Sequence, residues 1–133
     1  YHDQWFVGVA ELLTALKLQG KKLAVATGKS RKGLDRVLQQ TNSVELFDVT
    51  RAASETRSKP DPLMLQEILD HTGVVAQRAI MVGDTTYDLE MAQNIGMPSI
   101  GVSYGVHSVE NLQQFNPIYL VHNVAELQSI LLG

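Results

Sequence analysis

The chain has 133 residues, 44% of them hydrophobic and 19% charged, with a formal net charge of −3 and a sequence pI near 5.7. That balance is ordinary for a globular domain with its own core and excludes a disordered chain. The 11 Lys and Arg residues are scattered, which argues against a nucleic-acid partner, and the absence of cysteine excludes disulfides, thiolate zinc sites and a thiol nucleophile and agrees with a cytoplasmic origin.

In chain order, residues 1–7 are aromatic-rich without a clear period. Val9, Leu12, Leu13 and Leu16 then mark one face of a helix that ends near Gly20. Lys21 and Lys22 lead into a short apolar run, 23–26, that stops at Thr27-Gly28. Ser30 is the expected N-cap of a helix carrying Leu34, Val37 and Leu38 inward, closed by Thr41-Asn42-Ser43. Residues 47–51 are expected to form another short strand, and a polar loop follows that ends in Lys59-Pro-Asp-Pro62. Asp61 as N-cap with Pro62 as first helical residue predicts a helix with Leu65, Ile68 and Leu69 inward, ending near Gly73.

The stretch Ala79-Ile-Met-Val-Gly-Asp-Thr-Thr-Tyr-Asp88 predicts a strand over 79–82, buried on both faces, with a turn at Gly83 and Asp84 at the strand end. A helix follows from Thr86, with Leu89, Ala92 and Ile95 on one side and Gly96 and Pro98 as stops. A strand over 98–102, a short helix over 109–115, a strand over 118–121 and a C-terminal helix complete the pattern, with Asn123 and Glu126 spaced as a capping box. Strand and helix alternate about five times with short connections, which predicts an α/β fold: a parallel sheet covered by helices on both faces. No apolar run approaches the roughly 18 residues of a membrane span, so no membrane partner is expected.

In such sheets ligands bind at the carboxyl ends of the strands. Thr27 and Asp84 each end a strand, and the Lys59 loop enters from the same edge, so the three can converge. Two readings of the acidic pair stand. Either Asp84 caps the helix and Asp88 is a solvated first-turn acid, or the two carboxylates share a cation. In the second case tight-turn oxygen ligands suit Mg²⁺, which takes one or two carboxylates and completes its octahedron with water and phosphate oxygens.

Taken together, Leu23-Ala-Val-Ala-Thr-Gly-Lys29, Ser58-Lys-Pro-Asp-Pro62 and Val82-Gly-Asp-Thr-Thr-Tyr-Asp88 resemble the second, third and fourth motifs of the haloacid dehalogenase-like phosphohydrolases, in the phosphoglycolate phosphatase-like branch. The resemblance runs from about Gly8 to the C-terminus and implies a three-layer, Rossmann-like core and a Mg²⁺-dependent phosphatase acting on a small phosphorylated metabolite. It further implies that Thr27 and the backbone N–H of Gly28 hold phosphoryl oxygens and that Lys59 neutralises charge on the nucleophile and the phosphoryl group. Asp84 would be the direct metal ligand, with Asp88 beside it. Gly28 stands where many relatives carry a polar residue, which leaves only a backbone contact there.

The family's first motif, an Asp-x-Asp whose leading carboxylate forms an aspartyl-phosphate, occurs nowhere in the 133 residues. The expectation is therefore a core, residues 8–133, incomplete at its N-terminal side, with residues 1–7 the end of a cap or its linker. A nucleophile-free module that binds a phosphorylated ligand is the alternative, and an unrelated flavodoxin-like domain a third reading. The missing strand would lie between those ending at Thr27 and Asp84. Unpaired strand edges are costly, so the gap is expected to be filled by another segment, by a second chain, or by direct pairing of 23–26 with 80–82. The histidines, His2, His71, His107 and His122, lack ligand spacing and are expected at the surface or in packing.

Overall fold

Among the described residues the alternation resolves into short parallel strands and helices in strict succession. The computed structural model describes residues 8–54, 61–103 and 109–132. In order, the elements are α1 (Val9–Leu18), β1 (Ala24–Thr27), α2 (Arg31–Gln40), β2 (Val49–Ala52), α3 (Leu63–Thr72), β3 (Met81–Gly83), α4 (Thr86–Gln93), β4 (Ser99–Val102), α5 (Val109–Gln113), β5 (Tyr119–Val121) and α6 (Val124–Leu132). None of these helices is long and apolar enough to cross a membrane.

All strand pairings are parallel. β1 pairs with β2 from Ala24 opposite Val49 to Thr27 opposite Ala52. A second sheet has the order β3-β4-β5, with Gly83 opposite Gly101 and Val102 opposite Val121. Helices cover both faces. On one, Leu12 and Leu16 of α1 and Leu127 of α6 pack on Ile100, Val102 and Val121. On the other, Met64, Leu65 and Ile68 of α3 meet Met91 and Ala92 of α4, and the same cluster takes in Val49 and Ala26 from one sheet and Met81 from the other. Apolar packing through α3 therefore joins the two sheets. Full burial of each Leu, Ile, Val or Met side chain contributes about 1.5–3 kcal/mol.

Four expectations need correction. First, the strand expected over 79–82 runs over Met81–Gly83 and is not buried on both faces: Val82 is 38% exposed and Ile80, just before it, 44%, whereas every residue of β4 is buried. The cause is pairing, since β4 has a strand on each side and β3 has one on a single side among the described residues. Second, direct pairing of 23–26 with 80–82 does not occur, because β1 and β3 lie in different sheets. Third, α3 begins at Leu63 with Pro62 in the cap position. The Asp61 carboxylate nevertheless accepts the Leu63 N–H at 3.0 Å, the bond expected of an N-cap side chain to the residue two ahead, so only the assigned helix start differs. Fourth, the capping box before α6 is offset: Asn123 Oδ1 accepts the Glu126 N–H at 2.9 Å, but the Glu126 carboxylate takes the N–H of His122 rather than that of Asn123.

Candidate active site

Thr27 is the last residue of β1, where the chain leaves the sheet. Its hydroxyl oxygen accepts the Lys29 N–H at 3.1 Å, folding the next residues into a tight loop. Because that oxygen is the acceptor, the hydroxyl proton remains available to donate elsewhere. At Gly28 a Cβ would meet nothing within 4 Å, so the loop has an open side. Ser30 then caps α2, its side chain accepting the Gly33 N–H at 3.1 Å.

This loop is tied to the one after β2. Ala53 N–H donates to the Lys29 carbonyl at 3.1 Å, and Arg31 N–H donates to Ser54 Oγ at 3.1 Å. The Arg31 guanidinium adds bonds to Thr50 Oγ1 at 2.9 Å and to the Thr50 carbonyl at 3.2 Å. The chain beyond Ser54 carries Lys59, which lies outside the described residues, as do residues 1–7, His2 and His107. Of the other histidines, His71 is exposed, and exposed His122 pairs through Nδ1 with Ser103 Oγ at 2.6 Å.

The acidic pair sits where β3 passes into α4. Thr85, not Asp84, caps the helix: its hydroxyl accepts the Asp88 N–H at 3.2 Å. Asp84 is half-buried, and no hydrogen bond or ion pair engages its carboxylate among the described residues. Asp88 is 5% exposed, so it is not a solvated first-turn acid. The cap-and-solvated-acid reading therefore fails at both positions. The Thr85 cap has a sequence signal, since Thr-x-x-Asp is the acidic form of a helix-start pattern; its neighbour Asp84 masks it, being an equally good cap residue by type.

The α4 N-terminus favours negative charge at Asp84 and Asp88, but two carboxylates so close in sequence also favour a cation between them. Among the described residues no group of three His, Cys, Asp or Glu side chains could hold a metal. Among the described residues a cation here would have at most these two carboxylates as side-chain ligands of that kind, and Mg²⁺ suits such a site because it keeps several waters and phosphate oxygens. Zinc, which takes three or four protein ligands, does not fit it.

Thr27 and Asp84 thus stand at the carboxyl ends of parallel strands in two different sheets, with no hydrogen bond between them, while Asp84 and Asp88 share one strand-to-helix turn. A cavity of about 250 Å³ lies elsewhere, at the amino-terminal ends of β4 and β5, where Gln93, Met97, Ser99 and Phe115 are among its lining residues.

A family model described as haloacid dehalogenase-like hydrolase matches residues 2–102. The chain is 31% identical, over 98% of its length, to the pyrophosphatase PpaX of Halalkalibacterium halodurans. It is 32% identical, over 93% of its length, to the phosphoglycolate phosphatase of Vibrio vulnificus. It spans 62% and 55% of those two proteins, little more than half of each. The crystal structure of a predicted phosphoglycolate phosphatase from Haemophilus somnus superposes on 94% of the chain with a TM-score of 0.87 at 27% identity, matching 56% of that protein.

Proposed function

The chain belongs to the haloacid dehalogenase-like hydrolase family, and on that premise we propose that it supplies most of the core of a Mg²⁺-dependent phosphatase of the phosphoglycolate phosphatase kind. Its substrate is a small phosphorylated metabolite, and its setting the cytoplasm. The single observation that carries the reading is the strand-end carboxylate of Asp84: half-buried, relieved of capping by Thr85, and without a hydrogen bond or ion pair among the described residues.

In this reading the Thr27 hydroxyl donates its proton to a phosphoryl oxygen, and the Gly28 backbone N–H holds another. Lys59 neutralises charge on the phosphoryl group. Asp84 would ligate Mg²⁺ directly, and Asp88 would act beside it, partly through water. The cation, when bound, neutralises charge on the phosphoryl oxygens. Phosphoryl transfer asks little covalent chemistry of most of the protein, so positioning and charge neutralisation at fixed groups carry most of the catalysis.

The attacking carboxylate of this mechanism is the leading Asp of an Asp-x-Asp, and the 133 residues contain none. Turnover is then a property of the whole protein, with residues 1–7 the end of a cap or its linker and 8–133 the core. For the 133 residues by themselves, the same absence favours the second reading, binding of a phosphorylated ligand without turnover.

The whole protein, given Mg²⁺ and p-nitrophenyl phosphate, is expected to release phosphate and to lose that activity in Lys59→Ala and Asp84→Asn. Tight phosphate binding without release would favour the second reading. Release untouched by Asp84→Asn would contradict the first.

A further inference from the structure

This inference rests on the reading of Asp84 and Asp88 as a cation-binding pair and adds a residue to it. Gly83 ends β3 and stands opposite Gly101 of β4. Partners across a parallel ladder present their side chains to the same face, so the two glycines make a bare strip under α4. Consecutive residues of α4 fill it. A Cβ on Gly101 would lie 3.5 Å from Leu89 Cδ1, 3.6 Å from Leu112 Cβ and 2.7 Å from Leu120 Cδ2. A Cβ on Gly83 would lie 2.7 Å from Asp88 Oδ2, 2.9 Å from its Cγ and closer still to its Cβ.

The two collisions differ in kind. At Gly101 the short contact is a methyl at the far end of Leu120, which can rotate aside. At Gly83 the obstacle includes the first atom of the Asp88 side chain, fixed to the helix backbone, and no rotation removes it. Either the first turn of α4 lifts from the sheet or Asp88 leaves its place. Gly83 is not among the glycines with positive φ, so its backbone conformation does not require glycine and the requirement is steric.

We propose that Gly83 is a positioning residue: the side chain it lacks is the niche that seats the buried Asp88 carboxyl beside Asp84. A cation held by this pair depends on that niche as it depends on the carboxylates.

The test compares Gly83→Ala, Gly101→Ala and Asp88→Asn in the whole protein by thermal unfolding and by Mn²⁺ affinity from water-proton relaxation. Gly83→Ala is expected to weaken Mn²⁺ binding about tenfold or more, as loss of a supporting shell does, and to add nothing further in the Asp88→Asn background. Gly101→Ala is expected to lower the unfolding temperature but keep Mn²⁺ affinity within about twofold, since it leaves the Asp88 niche intact. Wild-type affinity in Gly83→Ala, or a loss in Gly101→Ala as large, overturns the proposal. Should Gly83→Ala fail to fold, Gly83→Ala/Asp88→Gly must restore folding, and failure of that rescue also overturns it. If the wild type binds no Mn²⁺, the cation reading itself fails. The niche is then decided by NOEs between the residue 83 Hα and the Asp88 β protons, which must weaken in Gly83→Ala and not in Gly101→Ala; unchanged NOEs refute it.

Discussion

The Thr85 hydroxyl accepts the backbone N–H of Asp88 at 3.2 Å, capping α4 from the position next to Asp84. Either residue could cap the helix by type, and the two divide the tasks: Thr85 starts the helix, and Asp84 presents its carboxylate at the strand end. The division has a measurable consequence in urea unfolding. Thr85→Ala is expected to cost about 1 kcal/mol, the usual loss of a cap, while Asp84→Ala stays within about 0.5 kcal/mol of the wild type. Equal losses would show that Asp84 shares the capping.

The exposed side of β3 gives a second prediction. Met81 N–H donates to the Pro98 carbonyl at 2.9 Å, on the β4 side. Alternate amides of a strand point to opposite sides, so the Val82 N–H faces the side on which no strand pairs among the described residues. In hydrogen-exchange NMR of the 133-residue chain, Val82 is expected to exchange far faster than Met81. Equal protection would mean that another segment or a second chain covers this edge.

Arg31 gives a third. Its guanidinium reaches Asp35 Oδ1 at 3.1 Å as well as the hydroxyl and carbonyl of Thr50, joining α2 to β2 beneath the Thr27 loop. A lysine has neither the planar fork nor the reach to serve these acceptors together. Arg31→Lys should therefore lower stability by about 1 kcal/mol in urea unfolding, the net value of a typical lost hydrogen bond. No change would assign the network to the solvated surface.

Most of this architecture is legible in the sequence, because helices such as α1 and α4 carry their apolar residues at helical spacing and strands such as β4 are short apolar runs between turn residues. Strand ends are less so: β1 runs from Ala24 to Thr27 rather than over 23–26, since ladder partners fix its limits. The exposure of Val82 was illegible for the same reason, as an apolar run does not say how many neighbours it has. In the site, Thr27, Gly28, Asp84 and Asp88 stand out by type and position, with Lys59 outside the described residues. The burial of Asp88 and the niche at Gly83 do not stand out, because they depend on how closely α4 approaches β3, which no spacing in the chain encodes.

A fourth prediction concerns turnover. The 133-residue chain alone is expected to bind phosphate but not to hydrolyse p-nitrophenyl phosphate, since it lacks an Asp-x-Asp to form the covalent intermediate. Steady hydrolysis, abolished by Lys59→Ala, would show that these residues hold all that the reaction needs and that the nucleophile has been misplaced.

The central claim is that Asp84 ligates the cation, and calorimetric titration of Mg²⁺ into the wild type and Asp84→Asn, in the presence of phosphate, tests it most directly. The account predicts binding in the wild type that falls about tenfold or more in Asp84→Asn, with the unfolding temperature of the variant unchanged. Equal Mg²⁺ affinity in the two proteins would contradict it.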